Sequence, residues 1–231
     1  MRLRDLFRRW PRPDDAEAVR RMTAREWATI HERAATYLPT YTDKPGSEDR
    51  AQRRAEWLAA QPMWDFRESV LELGCGAGRN LAAIQRRWPA IEVGGIDINE
   101  AALWEAKRIL PGGQWMRANL YEVADADLPA RPDVILTSGC LGHLEATAVR
   151  TLLRWALRQS EVVVLLEQPG HGEVLKGPKA WGAAKSTGSY VLWAWPFSDW
   201  LVDAGAKRVE ITPLPEDLCA PAATELLVAR R

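Results

Sequence analysis

Val70-Leu71-Glu72-Leu73-Gly74-Cys75-Gly76-Ala77-Gly78-Arg79-Asn80 is a short apolar strand carrying one acid, then three glycines at alternate positions, then the start of a helix. Glycine takes up left-handed backbone without strain and lets the main chain come close to a ligand. Asp97 lies 19 positions after Gly78, at the end of a second apolar run, Ile91 to Ile96. An acid at that strand tip can accept hydrogen bonds from both hydroxyls of a ribose. Together the two elements predict a nucleoside site at the edge of an open sheet.

A dinucleotide is the obvious alternative ligand, but its fingerprint is G-x-G-x-x-G. Here the third glycine comes one position early and Arg79 follows it. Glu72, two residues before the first glycine, would repel a pyrophosphate. It suits an ammonium group instead, directly or through water. The helix opening at Arg79 points its first amides at a carboxylate. The motif therefore reads as a cradle for a nucleoside bearing an amino acid, with Glu72, Gly74, Cys75, Gly76, Gly78, Asn80 and Asp97 as its candidate residues.

Outward from this motif the chain alternates strands and helices. Helix Arg79–Trp88 ends at Pro89, and strand Ile91–Ile96 leads to helix Glu100–Leu110, closed by Pro111-Gly112-Gly113. Strands follow at Gln114–Arg117 and Asp133–Thr137, then an amphipathic helix at Ala146–Gln159. Val162–Leu166 is a continuous apolar strand of the kind buried on both faces. Helix Phe197–Ala204 and strands Arg208–Ile211 and Glu225–Val228 complete the pattern. Alternation of this kind predicts an α/β protein of three layers, a mostly parallel sheet with right-handed crossovers between helices. Before it, Asp14–Ala35 and Ser47–Ala60 read as helices. The expected division is a helical appendage over 1–65 and a ligand-binding domain over 66–231. Leu3, Leu6, Phe7 and Trp10 recur at helical spacing among arginines and read as a terminal helix packed on the domain or on another chain, a helix lying on a membrane surface being the alternative.

Composition narrows the function. The 31 Lys and Arg balance 31 Asp and Glu, which argues against broad nucleic-acid binding. Cys75, Cys140 and Cys219 are far apart, and so are His31, His143 and His171, so neither a disulfide framework nor a metal site is expected. No apolar run approaches the ~20 residues of a membrane span, and the opening residues lack a secretory signal. A cytoplasmic protein is expected.

The second informative stretch is Asp133-Val134-Ile135-Leu136-Thr137-Ser138-Gly139-Cys140-Leu141-Gly142-His143-Leu144. Ser138 and Gly139 fall just past a strand's carboxyl end, where such sheets hold ligands. Imidazole titrates near neutral pH, so His143 can take a proton from a hydroxyl or amine.

From Ser69 to Arg231 the chain resembles the class I S-adenosylmethionine (SAM)-dependent methyltransferases. The resemblance rests on Glu72-x-Gly74-x-Gly76-x-Gly78, Asp97, Asn119 and Ser138. It implies a Rossmann-like seven-stranded sheet with a reversed last strand, SAM as cofactor and S-adenosylhomocysteine as its product. It also implies that Asn119-Leu120 and Ile98 meet the adenine, although the family more often has an acid where Asn119 stands. The Leu-x-His-Leu ending is similar to small-molecule methyltransferases that carry a His near the methyl group, which makes His143 the candidate catalytic residue. In this architecture the amino-terminal helices and the loop after the fifth strand close over the acceptor. Tyr37, Tyr41, His171, Tyr190, Trp193 and Trp195 are thereby candidates for its walls. The expected reaction is methyl transfer to oxygen or nitrogen of a small molecule. RNA or protein methylation and a non-catalytic partner subunit are the alternatives. No N-P-P-Y-like tetrad follows the fourth strand, which disfavours methylation of a base amine. The sequence leaves the oligomeric state open, with a homodimer admitted.

Overall fold

The computed structural model describes residues 47–125, 128, 131–172, 193–220 and 223–231. The elements in chain order are α1 (Ser47–Ala59), β1 (Ser69–Leu73), α2 (Arg79–Arg87), β2 (Glu92–Asp97), α3 (Glu100–Ile109), β3 (Gln114–Arg117) and α4 (Leu120–Val123). They continue with β4 (Val134–Ser138), α5 (Ala146–Gln159), β5 (Val162–Glu167), α6 (Phe197–Asp203), β6 (Arg208–Pro213) and β7 (Glu225–Arg230). Every sheet strand and helix expected after residue 69 is present, with ends shifted by one or two residues.

The strand order is β3-β2-β1-β4-β5-β7-β6 in a seven-stranded sheet. β1 pairs in parallel with both β2 and β4, and β7 runs antiparallel between β5 and β6. The reversed last strand is thus present. Strand alternation sorts the apolar residues onto two faces. Val134, Leu136, Val162, Val164 and Leu166 join one core with Leu58, Trp64, Leu81, Ile84 and Leu103. Ile135, Val163, Leu165 and Leu227 join the other with Leu152, Leu153, Trp155, Phe197 and Leu201. Side chains alternate across a strand, so a run that is apolar at every position must be covered by helices on both sides. All six residues of β5 are buried accordingly.

Residues 47–64, counted with the appendage on sequence, share the core of the α2 face. Ala55, Leu58 and Trp64 are wholly buried there. Trp64 Nε1 donates to Leu58 O at 2.7 Å, and Trp88 Nε1 donates to Ala59 O at 2.9 Å. The expected helices before Ser47 lie outside the described residues, as do Tyr37, Tyr41 and Tyr190. Among the described residues no helix is long and apolar enough to cross a membrane.

Candidate active site

From β1 the chain winds through α2 to β2 on one side, while β4 lies on β1's other side and leads through α5 to β5. The strand order reverses at the β1–β4 boundary, and in open α/β sheets this leaves a crevice beyond the strands' carboxyl ends. Four segments reach that edge: residues 74–78, 97–99, 118–119 and 138–143.

The glycine turn is built by its own backbone. Gly74, Gly76 and Gly78 sit at φ of 70°, 52° and 74°, where an L side chain is strained. Gly74 and Cys75 both donate their N–H to Ile96 O, at 2.8 and 3.1 Å, which ties the turn to β2. Space is equally restrictive. A Cβ on Gly74 would lie 2.2 Å from Cys140 Sγ, and one on Gly78 would lie 3.0 Å from the Trp115 ring.

Two carboxyl groups rim this turn. Asp97 accepts from Gly76 N–H through Oδ2 and from Asn99 N–H through Oδ1, each at 2.8 Å. Burial raises its pKa, and those backbone donors, with that of Ile98, oppose the rise. Glu72, 1% exposed, is stranded further from water. Its Oε1 accepts from Asn80 Nδ2 at 2.6 Å, while its Oε2 is buried with no partner. Burial above all pushes the Glu72 pKa up to about 8; Asp97 adds to the rise, and the Asn80 bond and Arg79 oppose it. A buried polar atom without a partner is costly and rare. An ammonium group of a ligand would satisfy Glu72 Oε2 and restore the carboxylate. The donor set and the side-chain-free turn therefore fit an amino acid carried on a nucleoside.

Next to the opening of α2, Arg54 donates Nη1 to Leu218 O at 3.3 Å. Burial, then the charges of Arg79 and Arg50, lower its pKa to about 10. Arg79 opens α2, whose first amides favour an anion.

On the side of β2 and β3, Asn119 caps α4, its Oδ1 accepting from Tyr121 N–H at 3.2 Å. Its amide NH2 remains able to donate. Ile98 and Leu120 are both half-buried beside it.

Beyond β4, Gly139 turns the chain at φ 62° and donates its N–H to Leu166 O at 2.9 Å. Leu141–His143 is a single 3-10 turn, and His143 is 7% exposed. Glu167, the last residue of β5, organises this segment. Its Oε1 accepts from Thr137 Oγ1 at 2.9 Å, Cys140 N–H at 3.0 Å and Leu141 N–H at 3.2 Å. Burial raises its pKa to about 7 against those bonds and that of Gly142 N–H. An acid closing a wholly apolar strand was the signal available in sequence.

The aromatic candidates separate. Trp193 is 3% exposed and stacks with Trp195 in the core at 5.7 Å, so its indole fills the protein rather than facing an acceptor. Its N–H donates to Gly142 O at 2.7 Å, and Trp195 Nε1 donates to Leu144 O at 3.1 Å, so both support the turn that carries His143. His171 is exposed. Gly170 donates its N–H to Trp195 O at 3.1 Å and Gly172 to Ala194 O at 2.8 Å. The chain leaving β5 and the chain entering α6 therefore run side by side.

Comparison with known proteins agrees with this arrangement. Residues 70–160 match the family model described as a methyltransferase domain. The chain is 30% identical over 177 residues to the trans-aconitate 2-methyltransferase of Azoarcus sp. (strain BH72), covering 72% of this chain and 67% of that protein. An Escherichia coli (strain ATCC 8739) protein of the same name is 39% identical over 74 residues, which is 32% of this chain and 29% of that protein. In fold, the chain is similar to the 1,6-didemethyltoxoflavin-N1-methyltransferase of Burkholderia thailandensis, solved with its substrate and S-adenosylhomocysteine. The TM-score is 0.63 at 19% identity, over 96% of this chain and 91% of the other. A glycine turn at the sheet's switch point, a reversed last strand and a methyltransferase relative 30% identical over 72% of this chain thus converge, and the chain belongs to the class I SAM-dependent methyltransferases.

Proposed function

We propose that this enzyme transfers the methyl group of SAM to an oxygen of a small organic acid. The observation that carries the cofactor half is the buried, unpartnered Glu72 Oε2 beside a turn in which Gly74 and Gly78 have no room for a side chain. The acceptor half rests on the Azoarcus relative, whose name gives trans-aconitate as its substrate.

When bound, SAM supplies an activated methyl group on its sulfonium sulfur. In this reading the chain's residues bind, orient and exclude water. Glu72, held by Asn80, takes the ammonium group, and the amides opening α2 take the carboxylate. Asp97, already fixed by Gly76 and Asn99, offers its remaining lone pairs to the ribose. Ile98, Asn119 and Leu120 border the adenine, while Cys75, Ser138 and Gly139 complete the walls. The domain runs from residue 66 to 231, with the described part of the preceding segment packed on its α2 face.

Orienting the acceptor's oxygen in line with the methyl carbon and sulfur provides most of the rate enhancement. A carboxylate is ionised at neutral pH and needs no base. His143 therefore positions the acceptor in this reading. Its place just beyond β4 favours a second reading, in which a hydroxyl or amine acceptor gives its proton to the imidazole.

Radiolabelled SAM supplied with a panel of small carboxylic acids, trans-aconitate among them, and with phenols and amines separates the two. An ester product releases its label in mild alkali; an ether or methylamine retains it. Label found only in alkali-stable products, or only in RNA or protein, would overturn the organic-acid proposal. His143→Ala should lower turnover less than ~10-fold with an acid acceptor and ~100-fold or more if it is a base, measured under saturating SAM. Asp97→Asn should weaken S-adenosylhomocysteine by about 1–3 kcal/mol, ~10–100-fold. Unchanged affinity in titration calorimetry would remove Asp97 from the ribose site.

A further inference from the structure

Glu167 comes from β5, yet it acts on the loop after β4. The register sets Ser138 beside Leu166, so β4 ends one step before the Glu167 side chain. That side chain is 1% exposed, and a single oxygen gathers the Thr137 hydroxyl and the Cys140 and Leu141 amides. These are the groups just before and at the start of the turn that carries His143. The same loop presses Cys140 Sγ over Gly74, where not even a methyl group fits. The amides of Gly74 and Cys75 are in turn bound to β2. One carboxylate oxygen thus sets the height of the β4 loop over the glycine turn.

We infer that Glu167 is a positioning residue for methyl transfer, a buried hydrogen-bond acceptor that holds the Cys140–His143 loop against the glycine turn and so fixes both the cofactor's floor and the acceptor's side of the cleft. The inference rests on the glycine turn being the cofactor site. Charge-assisted acceptance by a carboxylate is stronger than a neutral amide's, so the side chain's charge matters as well as its shape. A glutamine retains a carbonyl oxygen at that point, whereas an alanine leaves Cys140 and Leu141 without their acceptor.

The test compares wild type, Glu167→Gln and Glu167→Ala in two measurements that need no acceptor. The first is deuterium exchange of the backbone over residues 138–144 in the ligand-free protein. The second is S-adenosylhomocysteine affinity by calorimetry. Exchange over 138–144 should quicken at least 3-fold in the glutamine variant and at least 10-fold in the alanine variant, with β1 and α5 unchanged. S-adenosylhomocysteine should bind within 3-fold of wild type to the glutamine variant and at least 10-fold more weakly to the alanine variant. This graded rescue is what a mere filler of core volume would not give. Should the alanine variant fail to fold, wild-type exchange over 138–144 in the glutamine variant overturns the inference. Quickened exchange spread evenly over the sheet overturns it too. Failure of wild type to bind S-adenosylhomocysteine would strike the cofactor site itself, and the exchange measurement would still decide whether Glu167 anchors the loop.

Discussion

Gly74→Ala should abolish measurable binding of S-adenosylhomocysteine and destabilise the protein by about 2–5 kcal/mol. Two costs combine at this position. A left-handed alanine is worth ~1–2 kcal/mol of strain, and Gly74 sits at φ 70°. Overpacking adds ~1–3 kcal/mol, since the new Cβ would lie 2.2 Å from Cys140 Sγ and 2.9 Å from Cys140 Cβ. Relief of the clash displaces either the glycine turn or the β4 loop, and both border the cofactor. Cys140→Gly in the same chain should restore the overpacking part and leave the strain. Calorimetry with S-adenosylhomocysteine and chemical denaturation measure the two effects. A Gly74→Ala variant that binds normally would mean that the turn is not the floor of the site.

Glu72→Gln should weaken S-adenosylhomocysteine ~10–100-fold and, at the same time, stabilise the ligand-free protein at alkaline pH. The sign follows from linkage. The folded pKa of Glu72 is about 8 against an ordinary 4.5. Below pH 4.5 the group is protonated in both states and its contribution is complete. As pH rises the unfolded chain ionises first, so stability falls until the folded group ionises near pH 8. The loss is on the order of a few kcal/mol. Glutamine cannot ionise and does not suffer it. Glu167, with a folded pKa of about 7, contributes a loss of the same sign that is complete sooner. The variant's advantage over wild type should therefore keep growing between pH 7 and 8. Melting temperatures recorded without ligand across pH 5–9 test this. Parallel curves would mean that Glu72 is not the stranded acid. A gain in stability with a loss of binding is the expected signature of a side chain retained for its ligand.

The glycine turn was legible in sequence because its parts are local. Glu72 and the three glycines span seven positions, and each glycine's backbone need follows from the turn alone. Strands such as Val162–Glu167 were legible because burial on both faces leaves an uninterrupted apolar run. The contacts that close the site were not legible. Cys140 meets Gly74, and Glu167 meets Cys140 across 27 positions, only because β4 lies between β1 and β5. Nothing near Cys140 in sequence announces either neighbour. Trp193 was open to two readings for a related reason. An indole can wall a ligand or fill a core, and only its stacking on Trp195 decides which.

The pairing of Gly170 with Trp195 and of Gly172 with Ala194 has an evolutionary consequence. This seam holds Gly172 N–H on Ala194 O at 2.8 Å, so an insert of any length could bridge the two. Each doubling of such an insert's length adds only ~0.6 kcal/mol of closure entropy. Connections of very different length can therefore be exchanged between these two points at little cost to the sheet they join.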